Sequence, residues 1–390
     1  MFRRSHVDTI RARIEEPRRF IQIVIGPRQV GKSTAIRQAL EGLDMPFVFA
    51  RADAATPPSR AWLRGQWVQA RSLIGDGRPA ALLVIDEVQK IREWSSEVKD
   101  LWDEDAFDGT DLRVVLCGSS SLLLQKGPSE SLRGRFELIR MPHWTFAECR
   151  EAFGYTLDEF LLYGGYPGAA ALRADPDRWL AYMNDSIIDS ALINDILMLE
   201  EVKKPALLSA LFRLGITFSG QEVSYRKLMG QLDDAGNATT IAHYLQLLGR
   251  ANLLAALPKY GDKEIAVRNS TPRLMAYDTS LITASVSSDH LDLINDTARR
   301  GHMVESAVGA YLLGRSASQR FKVFWWRERN AECDFVVCSD KDIIAIEVKS
   351  GAHANLVGMT EFLTTHPKAK RIVVGPKDSS IIDFLTGVIL

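Results

Sequence analysis

The run Gly26-Pro27-Arg28-Gln29-Val30-Gly31-Lys32-Ser33-Thr34 constrains this chain more than any other feature. It fits G-x-x-x-x-G-K-[ST] at every fixed position, the pattern of a phosphate-binding loop. The apolar stretch before it, Phe20 to Ile25, reads as a strand, and Ala35 to Leu40 after it reads as a helix, the context such a loop requires. The glycines let backbone N–H groups turn inward, and the helix N-terminus adds a positive dipole end. Lys32 is expected at the β- and γ-phosphates of ATP and the Ser33 hydroxyl on Mg²⁺. A second segment, Ala81 to Gln89, is a continuous apolar run ending in Asp86-Glu87, which predicts a strand buried on both faces with acids at its carboxyl end. Asp86 is the expected Mg²⁺ holder and Glu87 the residue that polarises the attacking water.

Between residues 20 and 140, strand-like and helix-like segments alternate, the signature of an α/β sheet. Phe47 to Ala50 and Arg113 to Cys117 read as further strands, and Trp62 to Ile74 and Trp94 to Phe107 as helices. The strand ending at Cys117 runs into Gly118-Ser119-Ser120-Ser121. Ser119 is either a γ-phosphate or water contact or a simple turn serine. The 390 residues suggest two to four domains, and 46% apolar with 25% charged residues is ordinary for a globular chain with full cores. A formal net charge of -1 gives no global field for nucleic acid, so any such role needs local patches. One candidate is the N-terminal set Arg3, Arg4, Arg11, Arg13, Arg18 and Arg19; a solvated helix face is the alternative. Four cysteines without CxxC spacing or nearby histidines argue against structural zinc. No signal segment or long apolar run is evident, so the expectation is a cytoplasmic protein without a membrane role.

Residues 205 to 260 read as a small helical module with a wing. Asn237 caps a helix from Ala238 to Arg250 whose apolar face is Ile241, Leu245 and Leu248. Thr239, His243, Gln246 and Arg250 fall on the opposite face, with Arg226 and Lys227 nearby. This pattern suits either a helix entering a DNA major groove or one that packs only on protein. Near the C-terminus, Glu332 to Val337 and Ile343 to Lys349 read as a β-hairpin. Its Asp334, Glu347 and Lys349, with Glu305 from the helical stretch His302 to Leu313, are the residue types for metal-assisted phosphodiester hydrolysis. A charged, exposed hairpin edge is the alternative.

Taken together these segments resemble a family of prokaryotic AAA-type ATPases whose C-terminal half is a domain of unknown function with a restriction-endonuclease-like core. The carrying segments are I-G-P-R-Q-V-G-K-S-T, L-L-V-I-D-E-V-Q, L-C-G-S-S-S, S-L-R-G-R, Y-G-G-Y-P, A-Y-D-T-S-L near Asp278, and E-C-D-F-V-V with I-E-V-K-S-G. The resemblance implies an AAA-like P-loop core at 1–145, a helical lid at 146–204, a winged-helix segment at 205–275 and a PD-(D/E)XK nuclease-like α/β domain at 276–390. It implies Ser119 as a nucleotide sensor and Arg135, or less so Arg133, as an arginine finger reaching a neighbouring subunit of a ring. ATP and Mg²⁺ are the implied cofactors. The leading expectation is an ATP-driven enzyme that binds and remodels DNA as a homo-oligomer, a helicase or branch-migration motor. The others are a nucleotide-switched regulator or defence sensor, whose C-terminal domain only binds a partner, and an ATP-controlled nuclease.

Overall fold

The computed structural model describes residues 2–53, 58–75, 77–119, 131–197, 202–261, 270–286, 290–349, 351, 356–375 and 380–387. The chain divides into two compact units, Met1–Met141 and Pro142–Leu390.

The first unit is a parallel sheet between helices. It contains α1 (His6–Glu15), β1 (Ile21–Gly26), α2 (Lys32–Leu40), β2 (Phe47–Arg51), α3 (Arg60–Arg71), β3 (Ala81–Asp86), α4 (Trp94–Asp108), β4 (Leu112–Ser119) and β5 (Phe136–Arg140). The strand order is β2-β3-β4-β1-β5 and every pairing is parallel. β1 and β3 are buried along their whole lengths, which is why they read as largely apolar runs, broken in β1 only by Gln22, rather than as alternating ones. The chain leaves β1 for the far edge, returns through β3 and β4, then crosses β1 to form β5. That reversal opens a crevice at the carboxyl ends of β1 and β4, where sheets of this kind place ligands. On one face, α3 and α4 are joined by a buried acid: Asp105 accepts from Trp67 Nε1 at 2.8 Å and pairs with Arg71 Nε at 2.6 Å.

The second unit begins with α5 (Phe146–Phe153) and α6 (Leu157–Tyr163), each opened by a capping box, Thr145 with Glu148 and Thr156 with Glu159. There follow α7 (Pro167–Ala170), α8 (Pro176–Ala181) and wide helical turns over Tyr182–Asp189 and Ala191–Leu197. Then come α9 (Pro205–Ile216), α10 (Tyr225–Met229), α11 (Ala238–Arg250), β6 (Leu254–Leu257) and β7 (Arg273–Ala276), the last two an antiparallel pair. Short α12 (Thr279–Thr283) and α13 (Asp292–Asn295) lead to the long α14 (Thr297–Gln319). The remainder is β8 (Lys322–Glu328), β9 (Ala331–Cys338), β10 (Ile343–Val348), α15 (Val357–Thr365), β11 (Lys370–Val374) and α16 (Ile381–Leu385), with sheet order β11-β10-β9-β8. One core draws on the whole unit, from Phe146 and Trp179 through Phe212, Leu248 and Leu274 to Trp325 and Phe384. A smaller one, around Trp326, Cys333, Val336 and Phe362, covers the other face of the sheet.

Asp278 explains two segments whose chemistry the sequence does not reveal. Buried among apolar groups, its carboxylate accepts from Gly165 N at 2.8 Å and Ser280 N at 3.0 Å, and from the Ser280 hydroxyl. It therefore caps α12 and pins the Gly164-Gly165-Tyr166-Pro167 turn. Gly164 has φ +61, and a Cβ there would lie 1.8 Å from Asp278 Oδ1, so only glycine fits. Burial pushes the Asp278 carboxyl up to about 6, against the hydrogen bonds that favour its charge. Because the folded value exceeds the unfolded one, its stabilising contribution is complete below about pH 4 and is lost as pH rises through about 6, roughly 3 kcal/mol in all. Asp278→Asn keeps an acceptor for Gly165 and cannot titrate. Urea unfolding of the two proteins between pH 4 and 7 should show the wild type losing stability that the variant does not; parallel curves would remove Asp278 from this role.

Candidate functional site

The phosphate-loop residues gather at the carboxyl end of the first sheet. β1 ends at Gly26, where a Cβ would meet Met141 O at 2.0 Å, because Met141 N donates to Ile25 O and brings that backbone alongside. The loop turns left-handed at Gln29 (φ 57) and Gly31 (φ 88), and α2 starts at Lys32. The first N–H groups of α2, on Lys32, Ser33 and Thr34, have no acceptor within the helix and point their partial charge into the loop. Lys32 is buried and its Nζ donates to Gly26 O at 3.0 Å and Pro27 O at 2.6 Å. A bound phosphate would compete with two neutral carbonyls for this ammonium, an exchange charge favours. Arg28 and Val30 complete the loop, and Val30 O accepts from the buried Arg4 at 3.4 Å.

The acids stand two strands away. Asp86 ends β3, with Oδ1 accepting from Glu87 N at 3.1 Å and Oδ2 3.6 Å from Arg51 Nε. These light contacts leave oxygen lone pairs for a hydrated cation, so the donor set fits Mg²⁺. Glu87 has a left-handed backbone (φ 57), and Gln89 Nε2 donates to its Oε2 at 2.7 Å. Gln89 holds the carboxylate from two residues downstream; the sequence shows it beside the acids, but only the tight turn at 88–90 reveals the contact. Between these strands β4 places Ser119 level with Gly26. Ser119 is buried, and its Oγ has no hydrogen-bond partner among the described residues. Ser120 and Ser121 lie outside them.

Arg135 stands just before β5 and forms a two-pronged pair with Asp103, at 2.7 and 2.9 Å. Arg133 is exposed. Of the N-terminal arginines, read above as a possible nucleic-acid patch, Arg4, Arg11 and Arg18 are drawn into the fold, whereas Arg3, Arg13 and Arg19 are exposed. Arg11 caps the end of α2 through the Ala39, Glu41 and Gly42 carbonyls. Arg3 and Arg13 pair with Asp8 and Glu16. Arg18 stacks 3.5 Å from the Trp102 ring centre and donates to Trp102 O and Leu112 O.

In the second unit, Asn237 caps α11 by accepting from Thr240 N at 2.9 Å. Ile241, Leu245 and Leu248 are buried as expected, joined by Tyr244 and Leu247, while Thr239, His243, Gln246 and Arg250 are exposed along the other face. Arg226 and Lys227 sit on α10; Lys227 Nζ lies 4.8 Å over the Phe218 ring. Glu222 bridges to Arg273, adding a third short extended segment to the β6–β7 pair.

Asp334 and Glu347 lie on neighbouring antiparallel strands, one step beyond the Phe335–Ile346 pair. This is a central pairing of the sheet and Glu347 is 4% exposed, so the exposed-edge alternative is overturned. Lys349 Nζ pairs with Glu347 Oε1 at 2.6 Å, and Asp334 Oδ2 accepts from Val348 N at 2.8 Å. Glu305 joins them from α14. Burial first, and the Asp334 charge second, push Glu305 and Glu347 above the usual carboxylate range. Arg273, which the sequence did not single out, reaches into the same cluster: its Nη1 is 3.3 Å from Glu305 and 3.8 Å from Asp334, and its Nη2 pairs with Glu332.

Comparison with known proteins bears on each unit. Residues 18–150 match the family model of an AAA domain. Residues 154–291 match a domain of unknown function (DUF8612), and residues 300–383 match another (DUF4143). A comparison with curated proteins gives no match. Among solved structures, AMPPCP-bound DnaA from Aquifex aeolicus is similar over 62% of this chain and 86% of its own, at 13% identity and a TM-score of 0.33. A Thermotoga maritima RuvB variant is similar over 65% and 86%, at 16% identity and 0.34. Three family models thus match successive stretches of the chain, an AAA domain first and two domains of unknown function after it.

Proposed function

We propose that this chain is an AAA-type ATPase that uses nucleotide to bind and remodel duplex DNA. The observation that carries the ATPase reading is the convergence of Lys32, Asp86, Glu87 and Ser119 at one end of one parallel sheet. Lys32 and the α2 N–H groups hold the phosphates, and Ser33 and Asp86 hold the accompanying Mg²⁺, which supplies charge neutralisation. Glu87, positioned by Gln89, orients the attacking water. Ser119 offers a buried hydroxyl at the level of Gly26. Lys32→Ala should abolish tight ATP binding. Glu87→Gln should keep binding and slow hydrolysis by roughly 10² or more. Nucleotide binding by fluorescence and turnover by phosphate release separate the two; wild-type turnover in Glu87→Gln would exclude that residue.

The assembly reading assigns Arg135 to a neighbouring subunit's nucleotide. For that role Arg135 has to exchange Asp103 for the neighbour's phosphate. Arg135→Ala should lose most ATPase activity while retaining nucleotide binding, and mixing it with Glu87→Gln subunits should restore some turnover. A monomer fully active at every concentration would overturn this.

The DNA reading rests on three helices with an antiparallel pair, the arrangement of a winged helix, and on the exposed polar face of α11. Arg226→Ala with Lys227→Ala should weaken duplex binding and lower the slope of log affinity against log salt by about one per lost phosphate contact. A nucleotide-switched regulator is the second reading, favoured by the use of Arg4, Arg11 and Arg18 within the fold rather than on a basic surface. ATPase rate against single strand, duplex, fork, four-way junction and RNA decides: stimulation supports the motor, a flat rate with nucleotide-dependent assembly the switch.

A further inference from the structure

We propose that Arg273 is the resident cation of the C-terminal carboxylate cluster, and that the cluster is a guanidinium-centred lock that excludes a divalent metal. The proposal stands against the reading of Asp334, Glu347, Lys349 and Glu305 as a metal-dependent nuclease site and is independent of ATP hydrolysis.

Metal-assisted cleavage needs several oxygen atoms converging on one ion, with room for its waters. Here the residue types are present, but a protein cation stands among them. Arg273 is 5% exposed and enters from β7. Its Nη1 donates to Asp334 O at 2.9 Å while standing 3.3 Å from Glu305 Oε1 and 3.8 Å from Asp334 Oδ1. Its Nη2 pairs with Glu332, which Arg327 also holds, and Arg327 reaches Glu222 at 2.6 Å. Lys349 holds Glu347. Glu305 and Asp334 therefore face a fixed cation and Glu347 is paired with Lys349, while Glu305 Oε1 and Glu347 Oε2 have no hydrogen-bond partner among the described residues. Among the described residues, no three His, Cys, Asp or Glu side chains are placed to hold one metal ion.

The cation is also rigidly mounted. Its backbone pairs with Leu257 in the β6–β7 ladder and bridges to Glu222, so it cannot swing away as a loop residue would. A planar fork with five donors suits this task better than a compact ammonium with three. Five acids, Glu222, Glu305, Glu332, Asp334 and Glu347, face three cations, Arg273, Arg327 and Lys349. Removing Arg273 deepens that imbalance at the point where Glu305 and Asp334 face it. The buried Glu347 Oε2, which has no hydrogen-bond partner among the described residues, is a further oxygen for an incoming ion.

The test is Mn²⁺ uptake by the full-length chain without nucleotide, read as loss of the free Mn²⁺ electron-paramagnetic-resonance signal. Wild type and Asp334→Asn should take up Mn²⁺ equally, because the cluster holds none. Arg273→Ala should bind Mn²⁺ with affinity raised about tenfold or more, the scale on which a site's supporting groups act, and adding Asp334→Asn should abolish the gain. If Arg273→Ala does not fold, Arg273→Gln with Glu332→Gln removes a cation and its partner together and should show the same gain. Uptake by the wild type that disappears in Asp334→Asn overturns the proposal. So does a folded Arg273 variant that gains no Asp334-dependent Mn²⁺.

Discussion

The parallel pairing of β1 with β4 is the constraint on which the nucleotide end depends. It sets Gly26 level with Ser119, and the next pairing, β4 with β3, brings Asp86 to the same end of the sheet. Because β4 separates β1 from β3, the loop and the acids are held two strand spacings apart rather than in contact. On the reading proposed above, that gap is where a phosphate, a hydrated cation and a water molecule would lie, between a lysine and two carboxylates. The sheet is buried on both faces because β1 and β3 are apolar at nearly every position, Gln22 being the exception in β1.

Charge compensation organises much of the rest. A near-neutral chain with 48 basic and 49 acidic residues can either display its cations or use them internally. The first unit uses them: Arg11 terminates α2, Arg18 lies on Trp102, Arg71 neutralises a buried aspartate and Arg135 is held by Asp103. Arginine suits these places because its planar, weakly hydrated head stacks and donates several bonds without being deprotonated. The cost falls on any nucleic-acid role. Cations spent on carbonyls and carboxylates no longer neutralise phosphates, which leaves α10 and α11 as the basic and polar surface on which the DNA reading stands.

Legibility followed the length scale of each signal. The loop, both acids, the order of strands and helices to residue 140 and the α11 faces were readable, because each depends on residues within one element or one motif. The 332–349 hairpin was readable for the same reason, its two strands being separated by a short turn. Gln89 was in view but its contact was not, since it requires Glu87 to adopt a left-handed backbone. Arg273 and Asp278 were illegible as functional parts. Arg273 meets residues 32 to 61 positions downstream, and Asp278 meets Gly165 across 113. No local periodicity encodes such pairs. The turn Gly164–Pro167 looked like a turn and no more until a buried carboxylate was found to require it.

The lock at Arg273 also bears on how the second unit should be divided. A cut between residues 275 and 276 would leave Arg273 and Glu222 on one side and Glu305, Arg327, Glu332 and Asp334 on the other. Breaking one partner of a buried ionic cluster costs far more than the intact cluster contributes, because uncompensated charge is left in a low-dielectric interior. The helical module and the sheet are further joined by a core running from Phe146 to Leu385. The cluster's value is then better sought in specificity than in net stability: many apolar packings would bury the same area, but only one register of β7 brings a guanidinium within reach of three acids. On that view the charges of Arg273, Glu305, Glu332 and Asp334 serve to fix how two substructures meet.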